Sequence, residues 1–144
     1  MNAMDKLRQY NAYLSKINAL YHEWAKKHGM SYNMMMTLYA LDENDDWTQK
    51  QIAEEWLIPK QTVNTVVKDL ERRGYVCCET RAHSKEKTVR LTPDGKEFAK
   101  ECLQGLYEAE TRCLLALGEE QLEQYLHNLY MIMTNFEAEV HKNE

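Results

Sequence analysis

The chain has 144 residues, a formal net charge of −5 and four cysteines. Its length is that of one compact domain with a core of its own. No apolar run approaches the roughly 20 residues of a membrane-spanning helix, and the N-terminal residues lack the apolar core of a signal peptide. Four cysteines are too few for a disulfide scaffold, so we expect reduced thiols. Together these features predict a single cytoplasmic domain over residues 1–144.

The first predicted element is an amphipathic helix over about residues 5–28. Its apolar side chains recur at spacings of three and four, which places them on one face of a helix. They are Leu7, Tyr10, Leu14, Ile17, Tyr21 and Trp24.

Two short helices with a tight break between them are predicted next. Thr48 and Gln51 have the spacing of a capping box, in which each side chain accepts a backbone N–H of the first turn. Pro59 suits the start of the second helix, because its φ angle is already helical. That helix should run from about residue 59 to residue 73. Its predicted core face consists of Val63, Val66, Val67 and Leu70.

A basic β-hairpin is predicted after Gly74, which supplies the left-handed stop of the second helix. Residues 75–80 have the β-branched and aromatic content of a strand, and residues 87–92 alternate polar and apolar side chains. The turn between them is polar, with an excess of cations. Two short helices followed by such a hairpin are typical of a winged helix-turn-helix, which binds DNA.

Two further apolar stripes are predicted on C-terminal helices. The first consists of Ala99, Cys102, Leu106, Ala109, Cys113 and Leu117, and the second of Leu122, Tyr125, Leu129, Ile132, Phe136 and Val140. Together with the N-terminal stripe, these apolar surfaces are larger than a small winged helix-turn-helix can cover. We therefore expect the three helices to pack against each other and against a second copy of the chain. A two-fold homodimer would bind an imperfect palindrome. The second short helix of each copy would enter one of two successive major grooves, about 34 Å apart. A monomeric bundle core is the alternative.

Charge is distributed unevenly along the chain. Residues 47–92 hold 9 Lys/Arg and 6 Asp/Glu, a net charge of +3, whereas the remainder holds 9 and 17, a net charge of −8. Attraction to phosphate is local, because salt screens charges beyond roughly 10 Å. The acidic total therefore does not exclude double-stranded DNA as a partner of the basic segment.

The chain resembles the multiple antibiotic resistance (MarR) family of transcriptional regulators over essentially its whole length. The resemblance implies a mainly α fold with a small β-wing. Residues 47–92 would form the winged helix-turn-helix reader, and residues 1–46 and 93–144 a helical dimerisation frame. The similar segments, in the family's order and spacing, are Met30–Ser31, Thr48–Ala53, Lys60–Val63, Leu70–Val76 and Val89–Gly95.

Side chains of the second helix and the wing are the candidates for DNA contact. Amides and hydroxyls suit base edges; these are Gln61, Thr62, Asn64 and Thr65. Cations suit phosphates or the minor groove; these are Lys60, Lys68, Arg72, Arg81, Lys85 and Lys87, assisted at the wing tip by His83 and Ser84. The family's wing carries an Asp and, two residues later, an Arg. Here His83 and Lys85 hold those places, and a lysine keeps the charge but lacks the planar fork.

A pocket for a small aromatic effector is expected where the first helix meets the methionine-rich segment 30–39. Thioethers and aromatic rings adapt to flat apolar ligands, and the resemblance implies such a ligand at the junction of frame and reader. The same pattern is also that of a plain core. The candidate lining residues are Tyr21, Trp24, Tyr32, Met35, Met36 and Tyr39.

Other functions remain as alternatives. The sequence contains no glycine-rich phosphate loop, nucleophile elbow or Cys-x-x-Cys pair, so we expect no enzyme, no cofactor and no bound metal. A thiol- or metal-responsive regulator of the same fold is one alternative, with Cys78, close in sequence to three arginines, as the candidate thiol. Cys102 and Cys113 are predicted as small core residues. A winged helix that binds protein is another alternative. Because the chain leaves no room for an activating domain, repression is expected.

Overall fold

The structure of the chain is a computed structural model, and it describes residues 1–44, 46–80 and 85–144. The protein is mainly helical with one small antiparallel sheet, as predicted. It divides into two compact units, residues 1–104 and 105–144. In the described ranges, no helix has both the length and the apolar character to cross a membrane. In chain order the elements are α1 (Ala3–Lys27), α2 (Tyr32–Glu43), β1 (Trp47–Thr48), α3 (Gln49–Trp56), α4 (Lys60–Arg72), β2 (Val76–Thr80), β3 (Lys87–Leu91), α5 (Pro93–Leu115) and α6 (Glu119–Val140).

Helices α1, α2 and α3 of the first unit begin at side-chain caps. The predicted capping box of α3 is confirmed: the Gln51 N–H donates to Thr48 Oγ1 at 3.1 Å, and the Thr48 N–H donates to Gln51 Oε1 at 2.9 Å. Asn2 and Asp5 form the same arrangement at α1, which therefore starts two residues earlier than predicted. Because these caps satisfy N–H groups that the helix itself cannot, they fix where each helix begins.

Helix α4 has the predicted core face and slightly different ends. Pro59 has a ψ of 135°, so it is the N-cap, and its carbonyl oxygen accepts the first bonds of the helix, from the N–H groups of Thr62 and Val63. Arg73 is the C-cap, and Gly74 follows in the predicted left-handed conformation with a φ of 80°. The four predicted core residues, Val63, Val66, Val67 and Leu70, are buried.

The sheet has the strand order β1-β3-β2 and is antiparallel throughout. Val89 of β3 lies between Trp47 of β1 and Cys78 of β2 in the register. Strand β2 starts one residue later than predicted, because the Tyr75 N–H donates to the Leu70 carbonyl oxygen of α4 at 2.9 Å. The Tyr75 ring stacks on Phe98 with a centroid distance of 4.2 Å. The core beneath the sheet and helices is formed mainly by Met35, Leu38, Leu41, Ile52, Val63, Val67, Leu70, Val89 and Leu103.

Hydrogen bonds join the start of α5 to the base of the hairpin. The Thr92 hydroxyl donates to the Gly74 carbonyl oxygen at 2.7 Å and accepts from the Gly95 N–H at 3.0 Å. The Thr92 N–H also donates to the Tyr75 carbonyl oxygen at 3.0 Å. A side chain at Gly95 would collide with that carbonyl group, because an added Cβ would lie 2.8 Å from its carbon. Only glycine, which has no Cβ, allows residue 95 to lie this close to the Tyr75 carbonyl group.

The second unit contains the end of α5 and all of α6. Gly118, with a φ of 83°, is the N-cap of α6. Within this unit every residue of the predicted α6 stripe except Leu122 is exposed, and Phe136 reaches an exposed fraction of 71%. Large exposed apolar side chains on one helix face mark a candidate interaction surface.

Candidate nucleic-acid interface

One face of α4 carries a row of polar side chains that are exposed to solvent. Its buried residues recur at spacings of three and four, which leaves the opposite face of the helix free. The exposed residues of that face are Gln61, Thr65, Lys68 and Arg72. They extend over roughly 16 Å of helix at 1.5 Å per residue. Because an α-helix fits the major groove, such a row of amide, hydroxyl and cations can meet base edges and phosphates.

The other sequence-predicted residues of α4 lie at the border of this row. Lys60 is exposed in the first turn, whereas Thr62 and Asn64 are half-buried. The Thr65 hydroxyl donates to the Gln61 carbonyl oxygen at 3.0 Å, which leaves its oxygen lone pairs available as acceptors. The structure therefore brings the predicted helix residues onto one surface, with Thr62 and Asn64 less accessible than the others.

Asp69 is a member of this surface that the sequence analysis missed. Its carboxylate accepts from Arg73 Nε at 3.1 Å and is also hydrogen-bonded to the Arg72 guanidinium. The carboxylate therefore holds two cations at the C-terminal end of α4, and a phosphate would compete with it for Arg72. Spacings of three and four residues between opposite charges are the sequence pattern that identifies this group.

The described part of the wing also contains an ion pair. Arg90 of β3 lies opposite Cys77 in the register, and its guanidinium pairs with the Glu79 carboxylate of β2. The negative charge of Glu79 raises the pKa of Arg90, and a hydrogen bond to Cys77 adds to the rise. This pair depends on the register of the hairpin and has no local sequence pattern.

The predicted wing-tip residues are only partly described. Lys85 and Lys87 are exposed, as DNA contacts require. Arg81, His83 and Ser84 lie outside the described residues, so their roles remain predictions.

The candidate effector residues lie on α1 and α2. Tyr21, Trp24, Tyr32 and Tyr39 are half-buried, whereas Met35 and Met36 are buried in the core. Tyr32 stacks on His22 with a centroid distance of 3.8 Å, and Tyr39 packs edge-on against Trp56 of α3. The buried Trp24 indole N–H has no hydrogen-bond partner among the described residues. A ligand acceptor could satisfy this N–H, while Met35 belongs to the core unless the helices separate.

The surroundings of Cys78 and Cys102 favour the protonated thiol, whereas the thiol-sensor alternative requires a thiolate. Burial raises the pKa of the Cys78 thiol to about 11, and a hydrogen bond to Glu71 and the charge of that carboxylate add to the rise. Burial also raises the pKa of Cys102. A thiol that stays protonated at neutral pH is a poor nucleophile. Cys113 is exposed, so its prediction as a core residue is wrong for the single chain.

The metal-responsive alternative depends on a cluster of ligand side chains. Across residues 1–44, 46–80 and 85–144, no three His, Cys, Asp or Glu side chains are grouped to hold a metal ion.

Comparisons with known proteins point to one family. A model described as the MarR family matches residues 28–86, which include the helix pair and the first strand of the hairpin. The chain is similar to the HTH-type transcriptional regulator SarZ of Staphylococcus epidermidis. The two are 26% identical over an alignment that covers 61% of this chain and 68% of that protein.

Solved structures have the same fold. A MarR family regulator from Neisseria meningitidis matches with a TM-score of 0.80 and 25% identity, over 100% of both chains. MepR of Staphylococcus aureus, solved in a complex with DNA, matches with a TM-score of 0.65 over 94% of this chain and 99% of that chain. The sequences of this chain and MepR are 22% identical, so this match shows only that the two folds are similar.

Proposed function

We propose that the chain is a DNA-binding transcriptional regulator of the MarR family, whose model matches residues 28–86, and that it binds a specific DNA sequence through α4 and the wing. The observation that carries this proposal is the exposed row on α4, in which Gln61, Thr65 and Lys68 face solvent opposite a buried apolar face. Base edges would be contacted by the amides and hydroxyls of α4, and phosphates by Lys60, Lys68 and the wing cations.

We further propose that the protein acts as a homodimer on an imperfect palindrome. Exposed apolar side chains on α1 and α6 support this, since Leu7, Ile17 and Phe136 have no cover within the described chain. A two-fold axis would present two α4 helices to major grooves about 34 Å apart. Repression then requires only that the dimer occupies DNA that the polymerase needs.

The first experiment measures binding to the DNA upstream of the protein's own coding region and to a scrambled duplex, at two salt concentrations. We expect tighter binding to the native duplex and a steep loss with salt, because Lys and Arg release counterions from the phosphates. Absence of binding to either duplex at low salt would contradict the DNA-binding proposal and favour a protein partner.

A small aromatic ligand is proposed to release the protein from DNA. Support comes from the half-buried rings of Tyr21 and Tyr32 and from the unpaired Trp24 indole N–H. The ligand would favour a spacing of the two readers that no longer matches the palindrome, which is a population shift.

The effector proposal is tested by titrating the protein–DNA complex with simple phenols and aromatic carboxylates. Any compound that weakens DNA binding must itself bind less tightly in the presence of DNA, by the same factor. We expect Trp24→Phe to weaken that compound's binding, with His127→Phe, exposed on α6, as a control. The proposal fails if no compound in the panel changes DNA affinity.

A further inference from the structure

Leu57, in the turn between α3 and α4, has a backbone conformation that leucine rarely adopts. Its φ is 50° and its ψ is 40°, in the left-handed region. Within the described ranges it is the one residue other than glycine with a positive φ. In this conformation a Cβ is crowded by the following carbonyl oxygen, a cost that glycine avoids.

The leucine side chain does not offset this cost within the described chain. It is 89% exposed, more than any other large apolar side chain in the described ranges. The turn is anchored by Ile58, which is 4% exposed, and by the Ala53 carbonyl oxygen, which accepts the N–H groups of Leu57 and Ile58. Glycine would make the same backbone hydrogen bonds. Neither packing nor hydrogen bonding therefore explains a leucine at this position.

The position of Leu57 places it beside the proposed DNA-contacting surface. It precedes Lys60, the first residue of α4, by three residues, so the two Cα atoms are at most about 11 Å apart. Pro59 lies between them and restricts the backbone of the turn. The major groove is about 12 Å wide. If α4 occupies the groove, a side chain this close to its first turn is within reach of the edge of the groove.

We propose that Leu57 contacts a thymine methyl group at the edge of each half-site and is thus a further specificity-determining residue; this rests on the proposed DNA-binding function. A leucine cannot hydrogen-bond to a phosphate or a base edge. The thymine methyl is the apolar group that base pairs present in the major groove. Removing one methyl from water on binding favours the complex about fourfold.

The test uses the full chain and a duplex that the wild-type protein selects from a randomised pool. Each thymine of that duplex is replaced in turn by deoxyuridine, which lacks the methyl group. We expect one replacement in each half-site to weaken wild-type binding about fourfold. The same replacement should leave the binding of Leu57→Ala unchanged, because that variant has no isobutyl group to make the contact.

Leu57→Gly separates the contact from the backbone conformation. It should bind DNA like Leu57→Ala, yet unfold at a temperature about 2–4 °C higher than the wild type, because glycine alone removes the strain. Leu57→Ala retains a Cβ and serves as the matched control for this gain.

Two results would overturn the assignment while the DNA-binding function stands. Equal affinity of the wild type and both variants for the selected duplex would leave the exposed leucine to a protein partner. Equal sensitivity of the wild type and Leu57→Ala to deoxyuridine would show that another residue contacts the methyl group. If the pool yields no enriched duplex at all, the DNA-binding function fails, and the Leu57 assignment fails with it.

Discussion

Asn64 and Lys85 have different roles in the proposed interface, and single substitutions separate them. Asn64→Ala removes an amide suited to a base edge, so it should cost about 1–3 kcal/mol on the preferred site and little on random DNA. Lys85→Ala would remove the proposed phosphate contact, so it should weaken both complexes and lower the salt slope by about 1. Fluorescence anisotropy at several salt concentrations measures both effects. A loss of equal size on both duplexes would show that Asn64 does not read sequence.

The Cys78 thiol is expected to resist alkylation at neutral pH. Burial and Glu71 hold its pKa at about 11, above its ordinary value of 9.0. The exposed Cys113 should be modified by iodoacetamide at pH 8, and Cys78 only as the pH approaches 11; mass spectrometry identifies each adduct. Glu71→Gln should lower the pKa of Cys78 and bring its modification to lower pH. Rapid labelling of Cys78 at pH 7 would instead restore it as a sensor candidate.

The raised pKa of Cys78 also links folding to pH. The folded chain holds this proton more tightly than the unfolded chain does. The free energy of unfolding therefore loses the Cys78 contribution as the pH rises from about 9 to about 11. Denaturant titrations at several pH values should show a smaller decline in this window for Cys78→Ala than for the wild type. An identical decline in both proteins would contradict the link.

At the level of elements, the junction of β2 with α5 depends on Gly95. A Cβ there would collide with the Tyr75 carbonyl group, which also accepts the Thr92 N–H. Gly95→Ala should therefore lower the free energy of unfolding by about 1–3 kcal/mol. Gly105→Ala, at an exposed position of the same helix, should raise it by about 0.5–1 kcal/mol. Urea unfolding at one protein concentration compares them, and an unchanged Gly95→Ala midpoint would mean that the junction can relax.

The predictable elements are those whose cause lies within a few residues. The capping box of Thr48 and Gln51, the apolar stripe of α4 and the stop at Gly74 are local patterns, and all three are confirmed. Bounds shift by one residue where another backbone hydrogen bond intervenes, as where the Tyr75 N–H donates to the Leu70 carbonyl oxygen before β2 begins.

What the sequence does not reveal depends on residues that are distant or unusual for their type. The Glu79–Arg90 pair requires the hairpin register, and the partner of Cys78 requires β2 to pack on α4. Leu57 is not a residue type that predicts a left-handed turn. The exposed row on α4 was predictable because helical periodicity assigns its opposite face to the core.

For the whole molecule, we expect the apolar face of α6 to form the dimer. Phe136 is 71% exposed within that stripe. Phe136→Glu would bury a carboxylate in the interface, so it should shift the dimer toward monomer and weaken DNA binding, because each reader would then bind alone. Gln124→Glu adds the same charge off the stripe and serves as the control. Sedimentation velocity measures the change, and an unchanged dimer in Phe136→Glu would place the interface elsewhere.

The hydrogen bonds that join Thr92 to Gly74 and Gly95 have a mechanical consequence. They attach the base of the hairpin to the first turn of α5, which continues to Leu115 and is roughly 34 Å long at 1.5 Å per residue. Because these bonds fix the start of α5 to the hairpin, a tilt of α5 within the first unit, which ends at residue 104, should turn the hairpin with it. At about 1.5 Å per residue the helix in that unit is roughly 18 Å long, so a tilt of about 5° displaces its end by about 1.5 Å.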